Sequence, residues 1–435
     1  MASPSASRNP IVREFPALAS RDFSLLFGNS MFSAAANWAL LLARGWLVFD
    51  LTKSSSAVGL VTFAGMAPFI FASPVSGVLA DRMDRRSLSL FSGMVAFAGT
   101  AGLAAVTLGG YVAVWHVVFF ALLGGIARAV QTPAQQAMIP ALVEKDQLLS
   151  GMALSSVSVH GSRLAGPLVG GILLEVWGAG AVFVLSAALY LGGAGCLWLM
   201  RYRNSAPPGT ARLSLGGLLS EMGEGARYIG YDRRVGLVVM LVVFHCALTM
   251  AFDSLIPELA HDLGGGGQLY SGLLMGLGAG AITGTVGVAK LPTLARQGNA
   301  LAVCGAVSGL SMLTLGFAPS PGLAIAGAVV AGGSQAAYMA LSATFVQDMT
   351  PDTLRGRVMS LYVMLAAGHM AFVNLGMGAL ADIVGVRVLL VVPGLIWTAV
   401  FVAGVFVLLD LRQLLRHGTF RTPAPAMPAP EPARA

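Results

Sequence analysis

Charge is what this chain has least of. Only 10% of its 435 residues are Asp, Glu, Lys or Arg, 56% are hydrophobic, and mean hydropathy is +0.78. A soluble globule carries roughly 25% charge. Two or three water-soluble domains, which the length alone would allow, are therefore excluded, and the bilayer is the expected solvent. Cysteine is scarce too. Cys196, Cys246 and Cys304 lie far apart inside apolar runs; three cannot all pair, and no metal-ligand spacing is present, so they read as small core hydrophobes. No nucleotide-binding motif supports ATP-driven pumping. The six histidines (His116, His160, His245, His261, His369, His417) are scattered, without the convergent His/Asp/Ser or metal constellation an intramembrane enzyme needs. A cleavable signal peptide is not expected: the first 24 residues are polar, and the apolar segment after them is too long and contains Arg44.

Apolar length is what remains. A span needs about 20 mostly apolar residues, and the chain offers twelve such stretches, near 25–48, 56–80, 87–108, 112–131, 152–175, 181–200, 235–256, 268–289, 299–318, 321–344, 356–378 and 386–409. With the N-terminus cytoplasmic, 22 of the 26 Lys and Arg residues fall on that side, only Lys53 and Arg387 fall opposite, and Arg44 and Arg163 lie within spans. This is the positive-inside bias; it places both termini in the cytoplasm and accounts for the net charge of +7 without nucleic acid. The 55 glycines suit helices that pack closely in lipid.

The expected organisation is an N-terminal arm (1–20), a six-helix bundle (21–203), a central cytoplasmic linker (204–234), a second six-helix bundle (235–411) and a disordered Pro/Ala-rich tail (412–435). The linker ends in SLGGLLSEMGEGARYIGYDRR, which can form an interfacial amphipathic helix. The halves echo each other. Gln136 to Pro140 (QAMIP) matches Gln347 to Pro351 (QDMTP), and GILLEVWG (171–178) matches GALADIVG (378–385). A parallel repeat of this kind suits a transporter that rocks around a central site.

Between spans two and three stands GVLADRMDRRSL (77–88). It resembles the signature loop of the major facilitator superfamily through Gly77, Leu79, Ala80, Asp81, Arg82, Arg85 and Arg86, with Asp84 in place of a glycine. GPLVGG (166–171) in span five resembles part of the antiporter signature of drug exporters, and QDMTPDTLRGRVMSLY (347–362) resembles the equivalent loop of siderophore and multidrug exporters. The resemblance covers about 21–411. It implies an all-α polytopic fold of two pseudo-symmetric six-helix bundles and a cytoplasmic gate in which Asp81 latches the halves, with Arg128, at the end of span four, as a neighbour. Arg163, Gly166, Pro167, Gly170 and Gly171 form the antiporter-like motif. Arg82, Arg85 and Arg86 also suit anionic lipid headgroups.

The resemblance further implies that spans one, four, seven and ten surround the cavity. At about 100° per residue, Asn29, Ser33, Asn37 and Arg44 share one arc of span one, His245, Thr249 and Asp253 one arc of span seven, and Gln335, Tyr338 and Ser342 one arc of span ten. Such stripes line a water-filled cavity or bond helix to helix. Arg44 and Asp253 reach similar depth, so they are expected to pair in the inward-open state, with a proton on Asp253 weakening the pair. Span five carries Ser156, His160 and Arg163; the arginine suits an anionic substrate or a helix partner. Gly272, Gly276, Gly280 and Gly284 form a flat face of span eight, a candidate sliding surface. The expected function is export of small drug-like or siderophore-like amphipathic molecules across the plasma (inner) membrane. The expected energy source is proton antiport, by a monomer expected to need no cofactor. Uptake of an organic solute and a non-transporting receptor are the alternatives.

Overall fold

The structure, a computed structural model, describes residues 15–70, 83–144, 147–202 and 215–418. It is all-helical. The helices are α1 (Arg21–Thr52), α2 (Ser55–Met66, continuing to Ile70), α3 (Arg85–Leu108), α4 (Val114–Leu142), α5 and α6 (148–177 and 179–199). After a linker helix (Leu215–Tyr231) come α7 (Arg233–Met250), α8 (Gly266–Ala289), α9 (Leu294–Gly316), α10 (Pro321–Met349), α11 (Asp352–Val384) and α12 (Val386–Val407). Among the described residues ten helices are long and apolar enough to cross a membrane. One of the ten runs through Gly178, whose φ of 77° and ψ of 179° break it into α5 and α6, and Ser55–Ile70 is a shorter apolar helix. The expected twelve are compatible with this arrangement.

Polar residues set the ends. Ser20 and Ser54 accept backbone N–H groups at the starts of α1 and α2. Asp84 accepts from the Ser87 backbone at 2.9 Å and its hydroxyl at 2.6 Å, so the residue that departs from the signature glycine is the N-cap of α3. Gly385, at φ 87°, turns α11 into α12. Three boundaries differ from expectation. The fourth span extends to Leu142 rather than ending near residue 131. The seventh passes into a π-helical turn (Cys246–Met250), unwinds, and resumes as Ile256–Asp262. The stretch expected to be tail opens with an amphipathic helix, Leu409–His417, which buries Leu411, Leu414 and Leu415 and packs on Gly298 of α9.

The helices alternate between a face that carries Pro16–Ala19 and Leu409–His417, here the terminal face, and an opposite far face with the turns at 53–54, 178, 263–265 and 385. The linker helix docks on the C-terminal half at the terminal face: Arg357 pairs with Glu224, and the Tyr228 hydroxyl donates to the Met349 carbonyl at 3.2 Å. The glycine face of α8 does not slide between the halves. Gly276, Gly280 and Gly284 pack on Ile325, Val329 and Gly333 of α10, within one bundle.

Candidate functional site: a central cavity and its far-face seal

Helices α2 and α11 cross at the far face with glycine against glycine. A Cβ on Gly59 would lie 2.9 Å from the Asn374 carbonyl oxygen, and one on Gly378 would strike the Ser55 carbonyl. The bare N-terminus of α2 meets Asp382 of α11. Its carboxylate accepts from the Ser54 hydroxyl at 2.5 Å, the Ser55 N–H at 2.8 Å and the Ser56 N–H at 3.3 Å. An anion at a helix N-terminus satisfies orphan donors and the helix dipole together. The Ser55 hydroxyl bonds Glu258 beyond the break in α7. Nearby, the Ser271 hydroxyl of α8 donates to the Pro167 carbonyl of α5 at 2.7 Å, and Gly171 leaves room for that serine. Both halves are thus closed on one another at the far face.

The antiporter-like motif resolves into packing. Gly166 admits Trp38 and the Ala35 carbonyl, Gly170 fits against Ala39 and Leu42 of α1, and Gly171 faces α8. Arg163 stacks over Trp38, its guanidinium carbon 4.9 Å from the ring centroid, and its carbonyl abuts Gly278.

Towards the terminal face a cavity of about 250 Å³ opens, lined wholly by the N-terminal half, including Ser33, Asn37, Trp38, Arg128, Gln131 and Gln135. A second, of about 80 Å³, lies deeper and shares Asn37, Arg128 and Tyr190 with the first. Arg44, Asp253 and Tyr270 join it there, so both halves contribute. Arg128 lies halfway along α4, fourteen residues from either end (128 − 114 and 142 − 128). It donates to Asn37 Oδ1 at 2.5 Å and covers the Phe69 ring at 4.7 Å. Its expected place at a terminal-face gate is therefore corrected: Gln131, Thr132 and Gln135 continue the helix as cavity wall beyond it. Asn29 is buried and accepts from Gln135.

The expected Arg44–Asp253 pair is absent, although the far face is closed. No oxygen of Asp253 lies within 4.0 Å of Arg44. Nor do His245, Tyr338 and Gln335 line either cavity. The His245 ring stacks on Tyr338 at 4.1 Å, meets Trp397 edge-on at 5.0 Å, and shares a hydrogen bond with Ser308 at 3.0 Å, all inside the C-terminal core. Gln335 donates to the Thr249 carbonyl at 2.5 Å, and Asn374 holds Ser254 through side chain and backbone. These two amides satisfy the main chain where α7 unwinds, as a broken membrane helix requires. The π turn and the break rotate Asp253 away from the His245 face and into the cavity.

Of the gate motif, Gly77, Asp81 and Arg82 lie outside the described residues. Arg85 donates to the Ala137 carbonyl at 2.9 Å, and Arg86 donates to the Leu197 and Trp198 carbonyls at 2.8 and 2.7 Å, closing the end of α6. Of the span-five stripe, the side chains of Ser156 and His160 also lie outside the description. Missed by sequence reasoning were Tyr190, Asp382 and the Ser54–Ser56 run. Three serines ahead of an apolar run are a helix-start signal, but nothing local tells that the partner stands 328 residues away.

Two bundles closed at one face over a cavity built from both define a membrane transporter of the major facilitator fold, not an enzyme. The chain belongs to the transmembrane secretion effector family, whose model matches residues 13–431. It is 24% identical over 363 residues to the staphyloferrin A transporter of Staphylococcus aureus, covering 83% of this chain and 89% of that one. It is 25% identical over 383 residues to the multidrug efflux pump Tap of Mycobacterium tuberculosis, covering 84% and 88%. The solved structure of the nucleoside transporter NupG shares the fold, with a TM-score of 0.69 at 13% identity over 88% of this chain and 98% of that one.

Proposed function

We propose that this protein exports small amphipathic molecules across the plasma membrane by alternating access, driven by protons moving inward, with both termini cytoplasmic. The observation that carries the reading is the far-face seal above a cavity shared by both halves. In the proposed orientation this is the inward-open pose, ready to load from the cytoplasm. The bias of Lys and Arg in the sequence toward the loops on the side of the termini supports that orientation. Relatives named for efflux and for a siderophore support the cargo class.

Asp253 is the proposed proton carrier. Among the described residues it is the one carboxylate lining the two cavities, and it sits on unwound backbone. Protonation removes its negative charge from the cavity shared by both halves, and a carboxylate that alternates between proton and cation couples proton movement to rocking. The reading needs no bound cofactor and one copy of the chain. The decisive experiment reconstitutes the protein in proteoliposomes, imposes a pH gradient, and screens dyes, antibiotics and siderophores. Cargo-dependent proton movement that Asp253→Asn abolishes is expected. Flux indifferent to the gradient sinks proton coupling, and net movement with the proton flow favours the uptake alternative.

A further inference from the structure

Two arginines face the centre of the cavity with almost nothing in the protein to neutralise them. Arg44 makes no hydrogen bond or ion pair with any described residue, and its Nε is buried without a partner. Gly124 of α4 leaves it room: a Cβ there would stand 3.5 Å from one terminal nitrogen of the guanidinium. Arg128 spends one donor on Asn37 and lines the same cavity as Arg44. Asp253, a carboxylate of the same lining, forms no ion pair with either arginine. A structural role for Arg44 finds no contact to rest on. Unpaired cations at this depth are costly.

We infer, resting on the transport reading above, that the cargo is a water-soluble organic anion, a carboxylate carried on an apolar body. Its charged group lies between Arg44 and Arg128 beside the Tyr190 hydroxyl, and its body extends along Trp38 into the larger cavity. Guanidinium forks match carboxylates in geometry as well as charge. The carboxylate replaces the missing counter-charge, and both arginines repel a cationic cargo. The larger cavity supplies the matching amphipathic wall, Phe23, Leu26 and Phe27 beside Ser30 and Gln131.

The test measures equilibrium binding to the purified full chain in lipid-free neutral micelles, so it is independent of flux. Three probes share one ring system: 2-naphthoate, 2-naphthamide and 2-naphthylmethylammonium. Naphthoate is expected to bind about tenfold or more tightly than the other two. Arg44→Gln and Arg128→Gln each lose that preference, and Arg44→Lys keeps part of it. Arg44→Gln is expected to melt no lower than the native chain, because no protein partner is lost. Equal or tighter binding of the amide or the ammonium overturns the inference. So does a preference that survives both glutamine variants, or no naphthoate binding at millimolar concentration. Phosphatidylglycerol binding to these arginines while naphthoate does not would reassign them to a lipid headgroup and overturn it too. The two readings fail separately. Naphthoate bound but no solute moved in proteoliposomes removes the exporter; gradient-driven flux of cations untouched by Arg44→Gln and Arg128→Gln removes the anion.

Discussion

Replacing Asp382 should open the far face. Its carboxylate holds the Ser54 hydroxyl and the N–H groups of Ser55 and Ser56, and all of these break when α2 and α11 part. A hydrogen bond to a charged group contributes about 1.5–3 kcal/mol, and an anion at a helix start about 0.3–1 kcal/mol. The carboxylate is exposed, so water returns much of this on opening. A net loss of about 2 kcal/mol for Asp382→Ala is reasonable, which shifts the closed-to-open ratio by roughly 30-fold. Asp382→Asn keeps one accepting oxygen and should lose about half, roughly a fivefold shift. Spin labels on cysteines placed at Leu108 and Phe317 report this directly. Both positions are exposed at the far face, in opposite halves, and the background lacks Cys196, Cys246 and Cys304. Electron–electron distance distributions should gain a longer population in Asp382→Asn and more of it in Asp382→Ala. Identical distributions in all three proteins would refute the latch.

Gly378→Leu drives a wedge against Ser55 and Gly59; transport should fall by tenfold or more, while Gly376→Ala, whose Cβ meets open space, leaves rates unchanged in the same liposome assay. Gln335→Ala strands the Thr249 carbonyl at the break in α7 and should cost about 1–3 kcal/mol, read as a lower melting temperature that Gln335→Glu does not fully restore. Asp232, which caps α7, is pulled two ways: burial raises its pKa, but the hydrogen bonds from Arg234 outweigh this and hold it below the ordinary carboxylate value. Its contribution is therefore complete above about pH 4 and is lost as pH falls through the lower folded value. Native protein should lose stability over that acid interval more steeply than Asp232→Asn when urea unfolding is followed against pH.

Span number was legible because lipid demands long apolar runs and the arginines mark their ends. The errors have specific causes. Gln131, Thr132, Pro133 and Gln135 give the end of the fourth span the polarity of a loop, yet they are helical, and Gln131, Thr132 and Gln135 face a wet cavity, where polar side chains cost little. His245 and Asp253 seemed to share a face because a uniform 100° step was assumed, and one π turn followed by an unwound segment destroyed that phase. Gln335 and Tyr338 carried the polarity of a binding site but serve a main-chain repair and an aromatic core. The charge of Arg44 within a span is plain from the sequence, but its partner is not, since depth along two helices says nothing of their rotation. The far-face latch joins α2 to α11, a contact that no local pattern encodes.

The seal sits at the rim, where solvent waits. When the Ser54–Ser56 donors leave Asp382, water takes over each bond within the same step, so neither end of the journey strands a polar group in oil. Had the same clasp been built beside Arg44, parting it would expose naked charge to hydrocarbon and stall the cycle. Locking at the edge and reserving the dry middle for cargo lets the lid be firm at rest and still quick to lift.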